Sequence, residues 1–213
     1  MPLSSTLLPA VLGLGTGLSL IIAIGAQNAY LLRLGIVAAR RIILPVVLIC
    51  ALSDAVLITA GTLGFGAVIQ RAPVALVVVR VIGAGFLAVY GVMSARRAIR
   101  PKGESLSVQA DATGSGIRLG GAIATVAAFT WLNPHVYLDT VVFLGSIASQ
   151  QAAGARWWWV GGAILGSFVW FFALGFGARL LRPVFARPVA WRVLDGVIAV
   201  VMIGLAAELA LTA

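Results

Sequence analysis

Histidine, cysteine and lysine occur once each in this 213-residue sequence, and acidic residues only six times. Each scarcity removes a class of chemistry. The single cysteine, Cys50, excludes an intrachain disulfide. With the single histidine, His135, it cannot assemble the usual zinc ligand sets. No G-x-S-x-G or H-E-x-x-H stretch occurs, so a hydrolase gets no support and neither a metal nor a cofactor is expected. Charged residues make up only 10% of the chain, far below the share that solvates a globular surface.

Apolar residues fill that space: 62% of the sequence is hydrophobic, in runs long enough to cross a bilayer at about 20 residues per helix. Six spans are expected, at about 7–32, 42–68, 74–93, 120–148, 157–177 and 190–211, in an all-α integral membrane protein. The net charge of +9 suggests nucleic acid only until the charges are located. Arg33, Arg40 and Arg41 follow the first run, five basic residues from Arg96 to Arg118 lie between the third and fourth, and Arg179, Arg182, Arg187 and Arg192 surround the junction of the last two. The alternate loops hold only Arg71 and Arg156. That alternation follows the positive-inside rule, with both termini outside, the arginine-rich loops cytoplasmic and the lipid bilayer, not nucleic acid, as partner. No basic n-region precedes the first run, so the first helix is expected to stay.

The hydrophilic stretch 96–118 is expected to be a mobile linker inside a single transporter domain, 1–213. It separates a first repeat, about 1–95, from a second, about 119–213. Three spans per half would place the halves in opposite orientations, as in an inverted repeat. Both halves interrupt their first apolar run, with "GAQNAYLLR" (Gly25 to Arg33) in one and "NPHVYLD" (Asn133 to Asp139) in the other. Pro134 lacks an N–H and must kink or stop a helix, and Asn133 before it is suited to capping the next one. A half-helix that starts inside a membrane presents unpaired N–H groups and partial positive charge, which a cavity holding a substrate anion would satisfy. A bare proline kink held by Thr130 is the alternative. Gln27, Asn28, His135 and Tyr137 lie within the interrupted stretches and join Gly25, Asn133 and Pro134 as candidate site residues.

Gly13 with Gly17, and Gly162 with Gly166, have the spacing of close helix contacts, leaving open whether the contact is internal or makes a homodimer. Trp157, Trp158, Trp159 and Trp191 stand at span ends and are expected to anchor at the membrane interface. Trp131 and Trp170 lie deeper.

Two carboxylates fall near mid-span, Asp54 in "ICALSDAVLITAG" and Asp139. A charge at such depth costs about 2.5–3.5 kcal/mol on insertion scales, which makes an intramembrane acid a functional candidate. Protonation, an internal cation or a cationic substrate could neutralise them. Arg80 is the internal candidate, with Arg33 another, but one arginine does not neutralise two acids. Asp195 and Glu208 lie nearer span ends and are expected to reach water. His135 precedes Asp139 by one turn, so a regular helix would put both on one face, where the imidazole could carry a coupling proton or only line a cavity.

These stretches resemble one family. "TWLNPHVYLDTVVFLGS" (Thr130 to Ser146) and "LSDAVLITAGTLG" (Leu52 to Gly64) are similar to the fourth- and second-span signatures of the basic amino acid exporters of the L-lysine and L-arginine type (LysE/ArgO). "GAQNAYLLRLGI" (Gly25 to Ile36) and "GSFVWFFALGFGARLL" (Gly166 to Leu181) resemble its first-break and fifth-span segments, the arginine exporters being the nearer version. Ala26 departs from the pattern, standing where the family usually has proline. The resemblance implies export of L-arginine and/or L-lysine from the bacterial cytoplasm across the inner membrane, driven by the proton-motive force. It implies a role for Asp54 and Asp139, with protons as the coupling ion. Export of another small amino acid or cation, and a passive cation channel, are the rival readings.

Overall fold

A computed structural model describes residues 3–22, 25–66, 71, 73–100 and 117–211. Every regular element among them is helical, as expected where no water is present to satisfy an open sheet edge. In chain order these are α1 (Leu3–Ile21), α2 (Ala26–Val37), α3 (Arg40–Thr62), α4 (Pro73–Ile99), α5 (Leu119–Trp131), α6 (134–150), α7 (Ala153–Gly177), α8 (Arg182–Phe185) and α9 (Pro188–Leu211). α6 opens with a turn, Pro134–Val136, widens into a π-helix, Tyr137–Leu144, and closes as an α-helix, Gly145–Gln150.

Four stretches are long and apolar enough to span a membrane: Arg40–Thr62, Val77–Ile99, Ala153–Phe185 and Pro188–Leu211. The bent pair Ser5–Ile21 and Ala26–Val37, meeting at 84°, qualifies jointly as a fifth. The expected fourth span is divided into α5 and α6, because Pro134 removes the N–H that would continue the ladder. The expected linker begins later than its composition suggests, since α4 runs on through Arg96 and Arg97 to Ile99. Residues 101–116 and the end of the expected second span lie outside the described residues.

α3 is the axis of the bundle. It packs against α7 on one side and against α5 and α6 on the other, burying Val46, Val47, Cys50, Ala51 and Ile58 completely. Around it, α1 lies along α7, and α4 lies along α9. The α1–α7 contact is made by the glycines singled out by spacing. A Cβ on Gly13 would sit inside the Trp159 carbonyl, and one on Gly162 inside that of Ala10. A Cβ on Gly17 would come within 2.9 Å of the Ala163 carbonyl oxygen. These glycines are therefore spent within one chain, and a second copy is not needed to explain them.

Two tryptophans expected at the membrane interface are buried instead. Trp159 packs in a buried cluster with Ile58 of α3 and Leu144 and Ala148 of α6, and Trp191 donates its indole N–H to the Phe185 carbonyl at 2.8 Å. Position at a span end did not reveal that each faces a neighbouring helix. Trp157 and Trp158, about half exposed, remain outward.

Gly162→Ala should lower the melting temperature in detergent markedly, at a cost of about 3 kcal/mol, because the backbones must separate. Gly161→Ala, whose Cβ meets nothing within 4 Å, should be neutral; equal effects from the two would contradict the seam.

Candidate functional site

The first helix break is fastened by one side chain. Gly25, extended at φ −110° and ψ 172°, precedes α2 and offers no side-chain cap. Asn28 reaches back across the gap, its amide donating to the carbonyl of Ile21 at the end of α1. Its side-chain oxygen in turn accepts the indole N–H of Trp170 on α7 at 3.2 Å. With Ala26 in place of proline, this Ile21–Asn28–Trp170 chain holds the break. The first N–H groups of α2 have no partner inside the helix and receive no side-chain cap from Gly25.

The second break is capped more fully. Asn133 accepts the backbone N–H of His135 at 3.1 Å, with Pro134 as the first helical residue, as the sequence predicted. The Trp131 carbonyl, freed by the break, accepts the Tyr137 hydroxyl at 2.8 Å. The helix that follows is not regular: across Tyr137–Leu144 it is π-helical, so the expected one-turn spacing of His135 and Asp139 on an α-helical face is replaced by a wider turn. The segment lies tight on α3, where a Cβ on Gly145 would come within 2.6 Å of the Gly61 carbonyl. That approach brings the helix carrying Asp139 against the helix carrying Asp54.

Both breaks face one cavity of about 300 Å³. Small-molecule sites run from roughly 300 to 1,000 Å³, so a single amino acid is the scale of solute that fits. Seven sequence candidates line it: Gly25, Gln27, Asn28, Asp54, Asn133, His135 and Asp139. Pro134 and Tyr137 do not; they shape the second break from behind. Arg80, on α4, is also outside the lining.

Asp54 is 4% exposed and accepts the Ser167 hydroxyl at 3.0 Å. Next to it in sequence, Ser53 accepts the indole N–H of Trp131 at 3.2 Å. Asp139 stands at the open side of the cavity. Among the described residues neither aspartate has an arginine or lysine within ion-pairing distance. Arg33, considered above as their partner, bonds Asp195 instead, and so does Arg97 at 3.2 Å. Asp195, expected to reach water, is 2% exposed.

Sequence reasoning missed two members of the site. Glu208 on α9 lines the cavity with its carboxylate 3.5 Å from His135 Nε2. Its place near the end of the last apolar run gave no sign that α9 leans on the second break. Ser167 lies inside a quoted segment, "GSFVW", yet nothing in the spacing marked it as the donor to Asp54. The resulting cavity is acidic on three helices and has the positive end of α2 at one wall, so it suits a solute with cationic groups and one anionic group.

Residues 18–213 match the family model described as LysE type translocator. The chain belongs to the LysE type translocator family. A lysine exporter LysE of Corynebacterium diphtheriae is 35% identical, over 94% of this chain and 97% of that protein. An arginine exporter protein ArgO of Pectobacterium carotovorum is 42% identical, over 91% and 92%. A Mycobacterium tuberculosis relative, provisionally named an amino-acid transporter, is 44% identical over 92% and 93%. No solved structure matches the chain. Membership of a translocator family, with several apolar helices, makes this LysE-family chain a multi-pass membrane protein.

Asn28→Leu should lower the thermal stability of the purified protein by about 1–3 kcal/mol, the cost of leaving the Ile21 carbonyl and the Trp170 N–H without partners. Unchanged melting of that variant would remove Asn28 from the break.

Proposed function

We infer that this chain exports L-arginine and/or L-lysine from the bacterial cytoplasm by alternating access. One observation carries the reading: Asp54 and Asp139 line one amino-acid-sized cavity, and among the described residues no arginine or lysine lies against either. Asp54, buried, and Asp139, at the open side of the cavity, call for a proton or a positive solute where no cation lies beside them. In this reading they hold the guanidinium or ε-ammonium group and the α-ammonium group. The substrate carboxylate sits at the start of α2, between Gly25 and Asn28. The Asn133 end is the weaker anion site, because its own side chain already takes the His135 N–H.

The helix pairing supports an inverted repeat. Exchanging the first three spans for the last three turns the α1–α7 pairing into that of α5–α6 with α3, and leaves the α3–α7 and α4–α9 pairings unchanged; all are present. Loop charge supports cytoplasmic arginine-rich loops and external termini. Outward movement of a positive solute opposes an inside-negative potential by about 2.3 kcal/mol per 100 mV. Inward proton movement through Asp54, Asp139 or His135 would offset that cost.

Export of labelled arginine from loaded cells tests the assignment. Asp54→Asn and Asp139→Asn should each slow it roughly 30-fold or more at unchanged membrane levels, the loss expected when a charged contact worth about 2 kcal/mol is removed. Undiminished export by both variants would reject the site, and displacement of arginine by neutral amino acids would reject the substrate class.

A further inference from the structure

The cavity reaches only part of the way through the bundle. Among the described residues none of its lining falls in 29–53, 87–100, 117–132 or 172–204, the stretches that run from mid-bundle to the end carrying the arginine-rich loops. On that side the path is filled. Tyr30 of α2, Phe86 and Tyr90 of α4 and Phe129 of α5 pack ring against ring, with centroids 5.0–5.9 Å apart. Beyond them lies Asp195 of α9. It receives the guanidinium of Arg33 from α2 and that of Arg97 from α4. Each arginine is also stacked on a ring: Arg33 lies 5.5 Å from the centroid of Trp191, and Arg97 5.6 Å from that of Tyr90.

From this geometry we propose that Asp195 is the positioning residue of a gate that closes the arginine-rich end of the transport path and releases Arg33 and Arg97 when that end opens. One carboxylate ties α2 to the packed pair of α4 and α9. α2 is the half-helix whose other end forms the cavity wall, so its attachment through Arg33 links the seal to the solute site. A buried carboxylate is costly once its cations have left it, so Asp195 favours the arrangement in which Arg33 and Arg97 stay against it. The proposal rests on the alternating-access reading, since a static pore has no use for it.

The native Cys50 reports on the gate. It is fully buried on α3, one turn nearer the arginine-rich end than Asp54, and it lies against Gln27 in the cavity wall. Reaction with a membrane-impermeant maleimide can be followed separately in inside-out and right-side-out vesicles. Asp195→Asn should raise the rate of Cys50 modification about tenfold from the face bearing Arg96, Arg97 and Arg100, and leave the opposite face unchanged. A factor of ten is about 1.4 kcal/mol in the opening equilibrium, less than the cost of breaking a buried ion pair. Arg97→Gln, in which Arg33 still holds Asp195, should raise it less and carries the test if the aspartate variant does not insert. Asp195→Glu, which keeps the charge, should return the rate toward that of the native protein. Unchanged modification in inserted Asp195→Asn and Arg97→Gln protein, or an equal rise from both faces, would overturn the gate. The solute site fails on a different result, intact export by Asp54→Asn and Asp139→Asn, so the two ideas can be lost separately.

Discussion

Backbone polar groups inside a membrane need partners, and a helix interrupted there strands several of them at once. This constraint organises the protein more than any single ion pair. At the first interruption the Asn28 amide takes a stranded carbonyl of α1, while α2 starts at the cavity wall without a side-chain cap from Gly25. At the second, Asn133 takes an N–H and Tyr137 supplies a carbonyl with a donor. The two breaks are therefore unequal in what they leave available. The asymmetry gives the cavity one strongly positive backbone wall opposite its acids.

The acids divide in the same way. Asp195 is as deeply buried as Asp54, yet among the described residues one has two arginines and the other a serine hydroxyl. Burial alone does not separate a structural carboxylate from a functional one; its complement of cations does. Asp54 is incomplete as a structural element, and that incompleteness is what marks it as a candidate.

Much of this was legible in the sequence because it is one-dimensional information. Apolar run length gave the helices, Pro134 and Asn133 gave the second break, and four-residue glycine spacing gave close helix contacts without saying which helices meet. Asp54 and Asp139 stood out because a charge in an apolar run is visible without a fold. What was not legible depends on which helix a side chain meets. Asp195 and Trp191 lie near a span end in the sequence, where water is the default neighbour, and only the approach of α2 and α8 buries them. Glu208 was lost for the opposite reason: 54% of its side chain is exposed, but toward the cavity. The π-helix has no sequence signature beyond its proline, because its wide turns follow from fitting Val141 and Gly145 against Gly61.

The glycine seam has a mechanical corollary. Helices whose backbones touch interlock and cannot slip lengthwise, so α1 and α7 travel as one rigid strut. One member of that strut comes from the beginning of the chain and the other from beyond its midpoint; α4 and α9 form a second couple drawn from both parts. Each of these two couples thus fastens an early part of the polypeptide to a late one, so the tightest seams in the bundle join distant stretches of chain and not neighbouring ones.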